Sequence, residues 1–306
     1  MTQEKGAYIF PSQVYLDDEL RRRCLESDEM DLLLDLAGDT LDMDLRAVLR
    51  DGTEEEANDP RFRRPLINMM GIAGYRAEQR RRGLRPVCVT GISLGFLSAA
   101  AAAGWVSLED MVRMSNTMAA IEMDAFEGTG YKSVFFSNCD HEAVFAALKD
   151  RGLDHLLHMS VLMSGNQFIA ACHEGDLPEL KPAFAELGAF FKVIPYSYPG
   201  HCDLMGQVQE RFAAEWRFRD PCGNLAIPTI SINDGRPHTG SEAIWKLAIE
   251  QYTTVLDWRR VLRYLEGLGL DTCVVLEPSD FVLKSMAFDP ECGLAAQAGG
   301  IGNGAR

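Results

Sequence analysis

Three features are lacking in this sequence, and each absence excludes a class of protein. No apolar run approaches the roughly 18 residues that a membrane-spanning helix needs. The N-terminus has no basic segment followed by an apolar one, so the sequence predicts no signal peptide, no membrane association and a cytoplasmic location. The eight cysteines include no C-x-x-C pair, and we therefore expect reduced thiols, with neither a bound metal nor disulfides.

Positive charge is also scarce, because 30 Lys and Arg face 45 Asp and Glu for a net charge of −15. This balance argues against nucleic-acid binding, which needs a positive face. Arginines nevertheless cluster at 21–23, 61–64 and 80–85. These clusters are either basic patches on an acidic surface or solvated helix ends.

The chain has enough length and apolar content to bury a large core, with 306 residues of which 47% are hydrophobic. The pattern of strands and helices predicts an α/β protein, with an α/β-hydrolase-like large subdomain formed by residues 1–128 and 200–288. A β-α-β-β-α-β order at 129–199 predicts an inserted ferredoxin-like small subdomain. Residues 289–306 are poor in large apolar side chains, and we expect a flexible tail.

The most informative motif is Gly91-Ile92-Ser93-Leu94-Gly95, which lies between an apolar strand at 86–90 and a small-residue helix at 97–103. This G-x-S-x-G pattern is typical of a nucleophile elbow, in which glycines permit a sharp turn between strand and helix. The turn exposes the serine hydroxyl beside the helix N-terminus. A chance match would rarely fall between such flanking elements, so Ser93 is the candidate nucleophile.

A serine hydroxyl needs a nearby base, and six histidines are available. His201 lies where the chain leaves the predicted insert, and clefts form at such junctions. We expect the other histidines on surface helices or loops, at positions 141, 155, 158, 173 and 238. His155 and His158 have i, i+3 spacing, but no third ligand accompanies them, which disfavours a metal site.

Four motifs follow one another along the chain: Phe10-Pro11-Ser12-Gln13, the elbow, His201-Cys202-Asp203-Leu204-Met205, and Gln251 ahead of Trp258. Together they resemble the malonyl-CoA:acyl-carrier-protein transacylase family. The likeness extends from about residue 7 to 286. It implies the acyltransferase fold of fatty-acid and polyketide synthesis.

The resemblance also implies the roles of individual residues. Ser93 would carry the acyl group, His201 would be its general base, and Gln251 would orient His201. The backbone N–H groups of Gln13 and Leu94 would form the oxyanion hole. The implied reaction is ping-pong transfer between acyl carrier proteins, with the substrate held on phosphopantetheine and no cofactor bound by the enzyme itself.

The chain departs from the family pattern around the expected pocket. Malonyl-selective members carry an arginine about 25 residues after the serine, where this chain has Met118. Helical phase disfavours Arg113 as a substitute, because it lies five residues back. Ile92, Phe96 and Gly200 also replace more polar or bulkier family residues, which predicts a less charged and roomier pocket. We therefore expect an acyl group without a malonyl-type carboxylate.

Relatives that lack this arginine include the aminoacyl and dipeptidyl transacylases of macrolactam polyketide antibiotic biosynthesis, and the chain resembles that subgroup. Because carrier proteins are acidic, the arginine clusters are a candidate docking surface. Three alternatives remain open at this stage. They are an acyl-carrier-protein hydrolase, a malonyl transferase that uses a different cation, and a catalytically inactive scaffold.

Overall fold

The computed structural model describes residues 4–195, 197–216, 227–278 and 280–301. Five consecutive helices follow the first strand, and strands are interspersed with helices along the rest of this chain. The helices are α1 (Asp18–Glu26), α2 (Asp28–Leu41), α3 (Leu45–Asp51), α4 (Glu54–Asn58), α5 (Pro60–Arg82), α6 (Leu94–Ala102), α7 (Leu108–Phe126), α8 (His141–Lys149), α9 (Leu177–Glu186), α10 (Gly206–Glu215), α11 (Ser241–Glu250), α12 (Trp258–Gly267) and α13 (Asp280–Ala287). The strands are β1 (Lys5–Phe10), β2 (Arg85–Gly91), β3 (Tyr131–Ser137), β4 (His158–Ser164), β5 (Gln167–His173), β6 (Phe190–Val193), β7 (Thr229–Ile230), β8 (Pro237–His238), β9 (Leu256–Asp257), β10 (Thr272–Leu276) and β11 (Ala296–Gly299).

The larger sheet has the order β11-β10-β1-β2-β7-β8, and all its pairings are parallel except β7 with β8. Helices cover both faces of this sheet, so β1 is buried from Gly6 to Phe10 and β10 is buried along its whole length. Alternate residues of β1 enter two different cores: Tyr8 and Phe10 pack with α5, α6 and α7, whereas Ala7 and Ile9 pack with α12 and α13. The sheet is thus the middle layer between two helical layers.

The smaller sheet has the order β6-β3-β5-β4-β9. Residues 131–193 supply its first four strands, which pair antiparallel, together with α8 and α9 in the predicted β-α-β-β-α-β order. Phe136 stacks on Phe168 with ring centroids 4.6 Å apart, and Phe184 meets Phe136 edge-on. These rings form a separate apolar core between the sheet and its helices. The assignment of 129–199 as an inserted subdomain stays a prediction.

The C-terminal segment differs from the predicted flexible tail of residues 289–306. Residues Ala296–Gly299 form β11, which pairs with β10 in parallel, and Ile301 is buried. The prediction rested on composition alone. Pairing with β10 orders this segment through backbone hydrogen bonds, although it has few large apolar side chains. Gly299 permits this close approach, since a Cβ there would lie 2.5 Å from Val274. The prediction is wrong for 296–301, and 302–306 lie outside the described residues.

The sequence predicted no membrane-spanning helix and reduced cysteines. None of the helices in the described ranges combines the length and apolarity needed to cross a membrane. The seven described cysteines are all free thiols, and Cys222 falls in a range that the structure does not describe.

Candidate active site

The elbow motif forms a tight turn between β2 and α6. Ser93 directly precedes α6 and has a positive φ that non-glycine residues rarely adopt, with φ 55° and ψ −111°. The two glycines are required by contact with backbone atoms. A Cβ on Gly91 would lie 2.3 Å from the carbonyl carbon of Gly95, and a Cβ on Gly95 would lie 2.5 Å from the oxygen of Phe10. The turn therefore places the Ser93 hydroxyl at the C-terminal end of β2 beside the first turn of α6.

Replacing Gly95 by alanine is expected to destabilise the protein strongly. The new methyl group would collide with the backbone of β1, which cannot move without breaking sheet hydrogen bonds, so we expect a loss of about 3 kcal/mol or more. Urea unfolding measures this loss. Gly74→Ala is the matched control, because the nearest atom to a Cβ there is 3.7 Å away and alanine favours the helix. Equal stability of both variants would contradict the tight packing of the elbow.

The structure brings together the predicted nucleophile and base. The Nε2 atom of His201 lies 2.7 Å from the Oγ atom of Ser93, and its Nδ1 atom lies 2.6 Å from the backbone oxygen of Gln251. Because a carbonyl oxygen only accepts hydrogen bonds, Nδ1 carries the proton and Nε2 is free to accept the serine proton. Burial lowers the pKa of His201, and the hydrogen bond to the Gln251 carbonyl offsets part of this shift. The neutral imidazole that a general base requires is thus favoured.

Several contacts hold the segment that carries His201, whose φ is 59°. The Oγ atom of Ser160 donates to the Gly200 carbonyl at 2.5 Å, and the Cys202 N–H donates to the Tyr252 carbonyl at 3.1 Å. The Nδ1 atom of His158 lies 2.7 Å from a carboxylate oxygen of Asp203. His158 was expected on a surface helix or loop, and that expectation is wrong. It lies on β4 and ties the smaller sheet to the histidine segment.

Gln251 contacts His201 through its backbone carbonyl. Its side chain is buried, and its Oε1 atom has no hydrogen-bond partner among the described residues. We therefore expect Gln251→Ala to reduce acyl transfer by less than about tenfold, since the substitution keeps the backbone carbonyl that accepts the hydrogen bond from His201. The measurement is kcat/KM for acyl transfer. A loss of a thousandfold would show instead that the amide group takes part in the reaction.

A cavity of about 650 Å³ opens onto the Ser93 hydroxyl. The predicted residues Gln13, Ile92, Leu94, Met118 and Gly200 line it, together with His201 and Gln251. A Cβ at Gly200 would meet no atom within 4 Å, so this position leaves the cavity open.

Phe96 was predicted to line the pocket, and that prediction is wrong, because Phe96 is absent from the cavity lining. It was predicted to border the pocket because it follows the elbow, but it points into the core shared by α5, α6 and α7. The aromatic ring is buried among apolar side chains of that core, and Phe96 is only 1% exposed.

Arg64 and Glu122 are among the cavity residues that the prediction missed. The 61–64 cluster was interpreted as a basic surface patch or a solvated helix end, but the side chain of Arg64 is only 4% exposed and binds the Glu122 carboxylate through both terminal nitrogens. Glu122 follows Met118 by one helical turn on α7, and this i, i+4 spacing was the available signal. Arg113 pairs with Asp110 and does not line the cavity, as helical phase predicted.

The exposed arginines of the three clusters are mostly engaged in ion pairs. The pairs are Arg22 with Glu19 and Glu26, Arg23 with Glu277, Arg61 with Asp59, Arg80 with Glu29, and Arg81 and Arg82 with Glu78. Their role in docking carrier proteins stays a prediction.

No family model matches the chain, but individual proteins are similar to it. The malonyl CoA-acyl carrier protein transacylase of Escherichia coli K12 is 25% identical over 240 residues, which cover 77% of this chain and 76% of that protein. The polyketide biosynthesis protein ThaF of Burkholderia thailandensis is 28% identical over 240 residues, but the match covers only 20% of its length.

Solved structures share the fold. A malonyl-transacylase in complex with a type II polyketide synthase acyl-carrier protein superimposes with a TM-score of 0.85 and 21% identity, covering 96% of this chain and 95% of that one. The malonyl CoA-acyl carrier protein transacylase of Coxiella burnetii gives a TM-score of 0.83 and 21% identity, covering 97% and 94%. The resemblance predicted from the four motifs is confirmed, because the chain is similar in sequence to malonyl CoA-acyl carrier protein transacylases and shares the fold of their solved structures.

Proposed function

We propose that the protein transfers an acyl group between acyl carrier proteins through an ester on Ser93. The observation that carries this proposal is the 2.7 Å contact between Ser93 Oγ and His201 Nε2 at the floor of a large cavity. Relatives that the sequence resembles are named as acyl-carrier-protein transacylases, and one solved relative is bound to such a carrier. The substrate would therefore arrive on a phosphopantetheine arm.

The chemistry follows from the two side chains. His201 Nε2 takes the hydroxyl proton as Ser93 Oγ attacks the thioester carbonyl. We assign the backbone N–H groups of Leu94 and Gln13, which both line the cavity, to the oxyanion that then develops. The C–S bond breaks, and the departing thiolate takes the proton from His201. A second phosphopantetheine thiol reverses these steps, so that the acyl group moves to a new carrier and Ser93 is regenerated.

The two sheets supply different parts of this site. Ser93 follows β2 of the larger sheet, while Phe135, Ser160 and Ile169 of the smaller sheet also line the cavity. We propose that the ferredoxin-like unit is an insert in a hydrolase-like subdomain and that it closes the acyl pocket against the elbow.

The cavity favours an acyl group without a malonyl-type carboxylate. Met118 contributes an apolar side chain where malonyl-selective relatives are expected to carry arginine, so this position offers no cation to a buried carboxylate. The open space beside Gly200 leaves room for a larger group. An aminoacyl or dipeptidyl group fits these properties.

One observation favours a second candidate, a malonyl transferase that uses a different cation. Arg64 lies in the cavity wall, and its guanidinium could bind a carboxylate if Glu122 were displaced. Glu122 occupies both terminal nitrogens of Arg64, which is why we prefer a substrate without a carboxylate.

Incubation with an acyl-loaded carrier and an empty carrier tests the proposal. Donors bearing an aminoacyl, a dipeptidyl, a simple acyl or a malonyl group are compared, and mass spectrometry follows the acyl group. We expect a thioester on the second carrier and faster transfer of the groups that lack a carboxylate. Release of free acid without transfer would instead identify a hydrolase, and fastest transfer of malonyl would identify the second candidate.

A further inference from the structure

The buried pair formed by Arg64 and Glu122 takes no part in the transfer steps described above. Arg64 lies on α5 and Glu122 on α7, and their side chains are 4% and 9% exposed. The Nη1 atom of Arg64 donates to Oε1 of Glu122 at 2.9 Å, and Nη2 donates to Oε2. Both residues line the cavity that contains Ser93. The pair is therefore a charged feature inside the acyl pocket.

Packing of the two helices gives a poor explanation for this pair. Burying two charges costs desolvation energy, and apolar residues of similar volume usually stabilise a protein equally well or better. Elsewhere α5 and α7 contribute residues such as Met69 and Met114 to the same apolar core. A charged pair retained in the pocket wall is better explained by what it does to ligands.

Glu122 binds Arg64 in the parallel two-bond geometry that a substrate carboxylate would use. An acyl group with a free carboxylate would have to displace Glu122 from Arg64. The Glu122 carboxylate would then remain buried without its cation and close to a second negative charge. Met118, one turn earlier on α7, offers that charge no compensation.

We propose that Glu122 determines substrate specificity by occupying Arg64, so that the pocket rejects acyl groups that carry a free carboxylate. Glu122 acts as an internal substitute for the substrate carboxylate, and Arg64 remains unavailable while the pair is intact. This inference rests on the proposed function, since it requires that Ser93 accepts acyl groups from thioesters. The inference adds to the proposed function one residue, Glu122, that excludes negatively charged acyl groups.

The test compares two thioesters that differ only in the carboxylate, acetyl-CoA and malonyl-CoA. In each case Ser93 gains the acyl group as an ester and free CoA thiol is released. Intact-protein mass spectrometry gives the acylation rate for each, and the readout is the ratio of malonyl to acetyl rates. Because the ratio is compared between variants, a general loss of activity does not affect it.

In the wild type we expect acetyl to be favoured by at least about tenfold. Glu122→Gln keeps the size of the side chain and removes its charge, and it should shift the ratio at least about tenfold toward malonyl. The double variant Arg64→Gln with Glu122→Gln should not show this shift toward malonyl, because the shift requires the free guanidinium of Arg64. Glu78→Gln is the matched control, since Glu78 is another buried carboxylate bound by arginines and lies outside the cavity lining.

A ratio that is the same in folded Glu122→Gln and wild type would overturn the inference. If this variant does not fold, Glu122→Asp keeps the charge and shortens the reach, and it should give a smaller shift in the same direction. An unchanged ratio in Glu122→Asp would then overturn the inference equally. A wild type that gains no mass on Ser93 from any thioester would contradict the proposed function itself, which separates the two failures.

Discussion

Ser93→Ala is expected to reduce the rate of acyl transfer by about a millionfold. Serine nucleophiles in comparable dyads and triads show losses of this size, because no other group can form the ester. The substitution removes only the hydroxyl, whose hydrogen bond in the structure is the one to His201. Fold and stability should therefore change little. The measurement is the single-turnover rate of acyl transfer between carriers.

A serine on the helix that follows Ser93 provides the control for this experiment. Ser98 on α6 is buried, and its hydroxyl donates to Asn68 at 2.8 Å outside the cavity lining. Ser98→Ala should lower stability by about 1 kcal/mol through the lost hydrogen bond and leave the transfer rate unchanged. Substantial transfer by the Ser93→Ala protein would show that the acyl group moves directly from thiol to thiol.

His201→Ala is expected to have the second-largest effect, a loss of about ten-thousandfold in transfer rate. A positioned general base contributes up to about this factor, and no described histidine other than His201 lines the cavity. Because base and nucleophile act as one unit, the double variant with Ser93→Ala should be no slower than Ser93→Ala alone. A further loss in the double variant would mean that the two residues act independently.

The pH dependence of acylation provides an independent test of His201. Burial lowers the pKa of His201, so its neutral form persists to lower pH than that of an exposed histidine. The acylation rate should rise with pH through a midpoint below the ordinary histidine value of about 6.5 and stay level above it. A midpoint clearly above that value would contradict the buried, neutral base.

Local sequence patterns predicted the parts of the site that depend on neighbouring residues. The elbow around Ser93 is determined by a strand, two glycines and a small-residue helix within 18 residues, so the turn could be recognised without tertiary information. The place of His201 at the end of the small-sheet unit was predicted from element order. His201 and Ser93 are 108 residues apart in the sequence, so predicting their contact also depended on the family resemblance.

The features that the sequence did not reveal depend on contacts between distant segments. Arg64 looked like part of a solvated cluster because its partner, Glu122, lies 58 residues away on another helix. The strand at 296–299 exists because β10 presents an open edge, which composition does not record. Phe96 follows the elbow closely, but the direction of α6 turns it into the core instead of the cavity.

The most direct test of the central claim is the site and mass of the covalent intermediate. Wild-type protein is mixed with an acyl-loaded carrier in the absence of an acceptor, quenched in acid, digested and analysed by mass spectrometry. We expect a single acyl adduct, on the peptide containing Ser93, that disappears when an empty carrier is added. An adduct on another residue, or complete transfer with no adduct at any time point, would contradict it.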